Sequence, residues 1–451
     1  MIIKHYCNSF ISITEKNFSL VCDPWIGQIN NQAWLSFPVY QSGFEILKKI
    51  KPNYIYISHL HSDHFDSSLL SKYFKFNNKT KIIIKKFLDQ RLKKKIEEIG
   101  CNRIIEIDSW SKHNLTNKHS VTIVPQMTSN TSSIETQVNY DLDTSIIVKS
   151  ELSNKVFFNN VDNPLSYNDI KIVNNFCKKV LKSKINVVCF PIGAASEYPQ
   201  CFMNINRERE KKRIIKECLI SVAKKINLLK PDIFFQAGGT YLICGKFNAL
   251  DKYIAQPRIL DVKKYLSKYS IVKNIEGGGE ISLRKDGEWE TKEQEEINSL
   301  KYRKRILQFS RSLKYSYYNN IKNNNINKMN LKENFQIARD NYFKKLSKLN
   351  IKTSWKINFF LYKNLTLINS KINKPKSKLI DCLNLKFKSK SKRKKNKLTN
   401  LNLHLDGQLF NILLTRKSSW NTSLSGSCIL YERYPNKFDP NVSFSLNYLV
   451  L

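Results

Sequence analysis

Residues Tyr54–Asp66 read YIYISHLHSDHFD, and everything else in the chain is best placed by working outward from them. The run YIYIS is apolar and β-prone, the composition of a buried strand. It passes directly into His59, His61, Asp63 and His64, and a helical pattern follows. Alternate side chains of an extended segment point the same way, so His59 and His61 share a face. Asp63 and His64 come in the turn that opens the helix, so all four side chains can converge on one pocket. Imidazole and carboxylate ligands at this density suit Zn²⁺ first, with Mn²⁺ or Fe²⁺ as alternatives. The chain has only 7 histidines, and three of them fall within six residues beside an aspartate. A metal site accounts for that better than three separately satisfied imidazoles.

On either side of this stretch, short Val/Ile/Phe-rich runs alternate with helical patterns. FSLVCD, TKIIIKK, SVTIVP, TSIIVKS, KVFFNNVD, INVVCFPIG and DIFFQAGG read as strands bounded by turn residues. Ile214, Ile215, Cys218, Leu219, Val222, Ile226 and Leu229 lie on one stripe of a helix. The interleaving predicts an α/β architecture over residues 1–285. Residues 286–400 read as a basic helical region with low-complexity loops, Tyr317–Asn330 and Phe387–Lys397 among them. Residues 401–451 read as a compact α+β segment packing on the core.

Composition narrows the possibilities. An apolar content of 41%, with 12% aromatic residues, is enough for a substantial core and excludes wholesale disorder. No apolar run approaches the ~20 residues of a transmembrane helix. The N-terminus MIIKHYCNSFISITEK lacks a secretory apolar stretch, so a soluble, cytoplasmic protein is expected. The formal charge is +39, and residues 301–451 hold 32 Lys/Arg against 6 Asp/Glu. That imbalance suggests an anionic partner, a nucleic acid or a membrane surface. An equally weighted reading is compositional drift in a Lys/Asn/Ile-rich chain, because Lys far outnumbers the bidentate Arg. The 10 cysteines form no CxxC pair, so buried, reduced thiols are expected rather than a zinc ribbon or a disulfide framework. The CxH and CxxH elements of a Rieske cluster are absent.

The run His59-x-His61-x-Asp63-His64 resembles the HxHxDH signature of the metallo-β-lactamase-fold superfamily. That resemblance implies a four-layer αβ/βα sandwich. It also implies that His59 and His61 hold one metal, Asp63 and His64 a second, and Asp162 in KVFFNNVDN bridges them. Asp23 in FSLVCDPWIG would orient the site rather than bind metal. The segments DPWIGQINNQAW, VFFNNVDN, FPIGAASEYPQCF, QAGGTYLICGKFNAL and SSWNTSLSGSCILYERYPNKFDP look like bacterial relatives of the metallo-β-lactamase-like part of CMP-N-acetylneuraminate hydroxylase, in the ascorbate-6-phosphate lactonase-like branch. Two histidines usual in the superfamily are not found: Gln126, Met127 and Thr128 stand where one is expected, and Gln236 lies near the other. His113 and His119 precede the relevant strand and are not expected to substitute.

The expected activity is that of a metal-dependent hydrolase with one or two ions. Metal-bound hydroxide would attack an ester, lactone or phosphoester of a sugar-, nucleotide-sugar- or lipid-derived small molecule, with Asp63 or Asp162 moving the proton. Tyr198, Gln200 and Tyr241 are weak candidates for substrate contact. Two other readings are a nucleic-acid processing or binding protein that uses the basic C-terminal region, and a member of a surface-polysaccharide pathway that has lost activity.

Overall fold

The Val-, Ile- and Phe-rich runs of the first 290 residues pair into two large sheets whose facing sides are apolar. The computed structural model describes residues 1–39, 41–127, 143–193, 195–295, 297, 299–318, 328–351, 355–367, 375, 377–386 and 399–451. The first sheet has eight strands, in the spatial order Trp289–Lys292, Gly279–Leu283, Ile2–Cys7, Phe10–Glu15, Phe18–Cys22, Tyr54–Tyr56, Lys81–Lys85 and Ile104–Ile107. The second has seven: Ile271–Lys273, Ile233–Gln236, Val187–Phe190, Lys155–Asn159, Thr144–Ser150, His119–Pro125 and His113–Asn114.

Period-two alternation sorts their side chains into layers. Ile3, Ile13, Leu20 and Ile83 of the first sheet meet Val121, Ile146, Phe157 and Phe235 of the second in the central core. Ile82 and Ile84, the neighbours of Ile83, point the other way, beneath helices Gly43–Ile50, Ser67–Phe76 and Arg91–Glu98. Ile147, Phe158 and Phe234 likewise face helices Tyr167–Lys179, Arg207–Leu229 and Ile259–Leu266. The result is the four-layer αβ/βα sandwich expected from the sequence.

Strand direction decides where the chemistry sits. Phe18–Cys22, Tyr54–Tyr56 and Lys81–Lys85 are mutually parallel, so the residues after Cys22 and Tyr56 emerge side by side. In the other sheet Lys155–Asn159 runs parallel to Val187–Phe190 and antiparallel to Thr144–Ser150, with Asn159 opposite Ile146. The start of Thr144–Ser150 therefore reaches the same edge as the end of Lys155–Asn159.

Beyond residue 300 the chain builds a second core against that edge. Helices Leu300–Ser312 and Lys328–Lys348 lie within residues 286–400. Strands Lys356–Lys363 and Lys378–Leu385 lie there too, because Ile357, Phe359 and Leu361 alternate into the core. They join Asn400–Asp406 and Leu430–Tyr434 in a four-stranded sheet that runs across residue 400. Its core is continuous with Trp25 and Phe202 from loops of the sandwich and with Trp34 and Tyr241 from a small three-stranded sheet. Backbone bonds Met203 N–H to Tyr431 O (2.7 Å) and Tyr431 N–H to Cys201 O (2.9 Å) stitch the two parts together. The segment Phe387–Lys397 lies outside the described residues, as does most of Tyr317–Asn330.

Eight of the ten cysteines are buried, all ten are free, and Cys382 is exposed. Among the described residues no helix is long and apolar enough to cross a membrane.

Candidate metal centre

Strand Tyr54–Tyr56 stops where the backbone must turn toward helix Ser67–Phe76, whose first turn is capped by Asp66 accepting from Leu69 N–H at 3.0 Å. Between them His64 N–H and Phe65 N–H both bond back to His61 O, at 3.0 and 2.7 Å, a tight turn that gathers the motif. Asp23 follows Phe18–Cys22 and donates its N–H to Tyr56 O at 2.9 Å. Asp162 follows Lys155–Asn159. Both aspartates sit at left-handed φ, 42° for Asp23 and 64° for Asp162, a conformation that short polar side chains tolerate best and that often marks functional turns. Gly238, at φ +93°, packs against Asp162, and a Cβ there would lie 2.8 Å from Val161 Cγ1 and 3.4 Å from Asp162 Oδ1.

Asp23 organises the rings. Its Oδ1 accepts from Ser58 N–H at 2.8 Å; its Oδ2 accepts from Ser58 Oγ–H at 2.8 Å and from His64 Nδ1–H at 2.9 Å. With its proton committed to Asp23, Ser58 Oγ can only accept from His59 Nδ1 at 3.0 Å. Both imidazoles are thereby pinned through Nδ1, and each turns Nε2 inward, the arrangement by which outer partners orient metal ligands. His59 Nε2 lies 2.7 Å from His61 Nδ1 and 3.2 Å from Asp143 Oδ1. His64 Nε2 lies 2.9 Å from Asp162 Oδ2 and 3.7 Å from Asp63 Oδ2. Two ligand sets result, His59/His61/Asp143 and His59/His64/Asp162, each with its atoms within 4.8 Å of one another.

The charges agree with a cation site. Burial pushes His59 well below the ordinary imidazole value, reinforced by His64 and His61, so it presents a neutral nitrogen. Burial opposes protonation of His64 too, but the carboxylates of Asp162, Asp23 and Asp63 outweigh it and hold this ring well above the ordinary value. Asp162 is drawn down by His64 against the cost of burial. Asp63 is pushed up by burial, with Asp162 adding to the effect against the pull of His64. Without an ion, a proton on His64 compensates the carboxylates at the position where a divalent cation would do so.

Every residue of the expected core, Asp23, His59, His61, Asp63, His64 and Asp162, comes to this edge. Asp143 was not expected from the sequence. It precedes strand Thr144–Ser150, and the pairing of Pro125 with Thr144 sets it across from Gln126, whose Oε1 accepts the Asp143 N–H at 3.1 Å. Asp143 thus stands beside His59 and His61, near the gap left by the missing histidine. The clue in the sequence is an aspartate immediately before a strand that pairs with VTIVP, but the pairing itself is a tertiary fact.

The remaining candidates lie elsewhere. Gln236 bonds Ile192 O at 3.5 Å. His119 stacks on Phe18 and meets Glu15 at 2.9 Å, and His113 lies in the edge strand beside it. Gln200 and Tyr241 are buried, bonded to each other at 3.0 Å and both to Ser196 O, with Tyr241 stacked on Trp34. They brace a loop from within. Tyr198 is half-buried, and its hydroxyl donates to Glu210 at 2.6 Å.

No family model matches the chain. Two proteins of Mycobacterium tuberculosis that carry the name of a Rieske 2Fe-2S iron-sulfur protein are 31% identical over 97 residues, covering 22% of this chain and 18% of theirs. A like-named protein of Mycolicibacterium smegmatis is 29% identical over 102 residues, covering 22% of this chain and 19% of its own. The chain thus spans about a fifth of the length of these curated relatives. Among solved structures it is similar to an isothiocyanate hydrolase from Delia radicum gut bacteria (TM-score 0.42, 11% identity, 62% of this chain and 99% of that one). It is also similar to a possible metal-dependent hydrolase from Veillonella parvula (0.41, 14%, 65% and 99%) and a metallo-β-lactamase fold protein from Bacillus subtilis (0.35, 9%, 60% and 95%). By its own layering the chain is a four-layer αβ/βα sandwich, with its His/Asp cluster at one edge of the strands.

Proposed function

We propose that the chain is a metal-dependent hydrolase of the metallo-β-lactamase superfamily, acting on an ester, lactone or phosphoester of a small sugar-, nucleotide-sugar- or lipid-derived substrate. The observation that carries this reading is the meeting of two three-residue sets at His59, whose single inward nitrogen can serve one ion. His59, His61 and Asp143 would hold one ion, and His64 with Asp162 and Asp63 a second. Mixed imidazole and carboxylate donors fit Zn²⁺, Mn²⁺ or Fe²⁺. When bound, such an ion supplies Lewis acidity and makes a coordinated water acidic near neutral pH.

The chain's own residues supply the rest. Asp23 and Ser58 hold the His59 and His64 rings at fixed tautomers. Asp63, whose carboxyl is pushed up by burial, is suited to take up a proton during attack. Asp162, drawn down by His64, stays ionised and orients the nucleophile.

The test is elemental analysis of purified wild type, His61→Ala and Asp143→Ala, paired with turnover on an ester, lactone and phosphoester panel. Wild type should carry metal and both variants should carry less. A wild type as empty as His61→Ala sinks the reading.

One observation favours a second reading, a polyanionic ligand. A groove lined by Arg91, Lys95, Lys345, Arg416 and Lys417 adjoins a hollow that shares Arg91 and Lys95 with it and reaches His61. Nucleic-acid affinity that falls steeply with salt, and is weakened by Arg416→Ala/Lys417→Ala, would support it. Salt-independent binding would remove it.

A further inference from the structure

Outside the ligand sets, the most specific chemistry lies in a cavity of about 250 Å³ between the sandwich edge and the C-terminal sheet. His61 and Asp143 form its inner end, and Phe202, Leu424, Phe438 and Phe444 give it an apolar wall. Asn421 and Ser425, with His61, also line the smaller hollow of about 80 Å³ that holds Asp63 and Asp162. The cavity and the metal centre are therefore adjoining spaces divided by a shared wall. At this volume the cavity lies just below the ~300–1,000 Å³ usual for ligand sites, which suits a compact group better than a nucleotide.

One side chain in this apolar space is charged and poorly partnered. Arg433, on strand Leu430–Tyr434, lines the cavity. Its guanidinium lies among aromatic rings, with centroids 4.7 Å away at Phe202, 5.5 Å at Tyr198 and 5.9 Å at Phe438. Its one side-chain hydrogen bond among the described residues goes to Asn436 Oδ1 at 2.9 Å. Its Nε is buried with no acceptor, and no carboxylate among the described residues lies within ion-pair distance of it. Glu197 and Asp439 share the cavity wall beyond ion-pair distance of the guanidinium; burial pushes the Glu197 carboxyl up while Arg433 draws it down. Ring contacts offset part of the desolvation of this half-buried cation. They do not satisfy its N–H donors, and an unmet buried donor costs about 1–3 kcal/mol. A cation built this way fits a ligand that brings the acceptor with it, and a guanidinium fork matches a carboxylate or phosphate.

We propose that this cavity is the substrate's specificity subsite. In it Arg433 binds a single oxyanion, a carboxylate or a phosphate, carried on an apolar group, and directs the rest of the molecule toward His61 and Asp143. The inference deepens the hydrolase reading and rests on it for the word substrate. The binding claim stands apart and is tested apart.

The experiment is calorimetric titration of the full chain with 4-phenylbutyrate, phenethyl phosphate and the uncharged 4-phenylbutanol. Each titration is run as purified and again with a chelator present. Wild type should bind at least one of the two anions about tenfold or more tighter than the alcohol, one charge-assisted contact's worth; the tighter of the two identifies the oxyanion. Arg433→Met should erase that preference while still binding the alcohol. Arg433→Lys should keep part of it and Arg433→Gln little, and these two decide the matter if the methionine variant does not fold. Equal affinity for anion and alcohol in wild type, an unchanged preference in Arg433→Gln, or a preference lost on chelation each overturns the proposal. Metal-free, inactive wild type that still shows an Arg433-dependent preference would defeat the hydrolase reading and leave the subsite standing. Metal-loaded, active wild type without the preference would do the reverse.

Discussion

On one side of His59 the chain ties His64 into the protein: ring and aspartate are buried, with 0% exposure for His64 and 1% for Asp23, and Ser58 locks both imidazoles to the same carboxylate. On the other side His61 and Asp143 line a cavity. Both sides share His59, yet one is integral to the fold and the other belongs to the ligand space. The buried side should therefore decide whether the cluster exists, and the open side what it does.

Substitutions can break that contrast in order of size. Asp23→Ala should have the largest effect, because it leaves Ser58 and a charged His64 without their acceptor in a dry interior. A loss of about 3–5 kcal/mol is expected, read from denaturant unfolding of the metal-free protein. A loss under 1 kcal/mol would mean the buried side is not structural. Ser58→Ala removes the bridge between Asp23 and His59 but no ligand. Metal affinity should fall about 10–100-fold, measured by competition with a chromophoric chelator. Unchanged affinity would show that the tautomer lock is dispensable.

His64 and the shared His59 differ in the sign of their pH dependence in metal-free protein. His64 is raised, so its contribution is full below the unfolded imidazole value near 6.5 and is lost as pH rises through its higher folded value. His59 is lowered, so it costs stability as pH falls below that same unfolded value. Imidazole NMR titration should find His64 protonated and His59 neutral at pH 7, and the reverse assignment would refute the geometry. The smallest effect belongs to Ser62→Ala. Ser62 donates to Asn30 Oδ1 at 2.7 Å in the small hollow beside His61 and Asp63, and its loss should cost about 0.5–1.5 kcal/mol with metal affinity unchanged. A drop in affinity comparable to Ser58→Ala would erase the contrast between the sides.

Much of this centre can be read along the chain. His59 and His61 lie two apart in an extended segment, and Asp63 and His64 lie in the turn that follows, so local geometry alone gathers four ligands. Asp23 and Asp162 each follow an apolar strand, and strands of one sheet tend to end together. Asp143 escaped because it enters by cross-strand register: Thr144 pairs with Pro125, and no local pattern announces which residue will then face His59. Gln200 and Tyr241 show the opposite case. Their polar ends suggest substrate contact, but they meet each other and Ser196 inside a packed loop.

The sequence by itself determined the layered α/β class, the central His/Asp cluster and the lopsided distribution of its +39 charge, because periodicity and ligand spacing act over a few residues. Only the tertiary structure decided what closes the site. Asp143 is brought in by antiparallel pairing, and Arg433 reaches the same space from more than 350 residues along the chain from His61. The first follows from strand pairing inside the sandwich and the second from burying the C-terminal sheet against the strand ends, long-range contacts that no short stretch of sequence encodes.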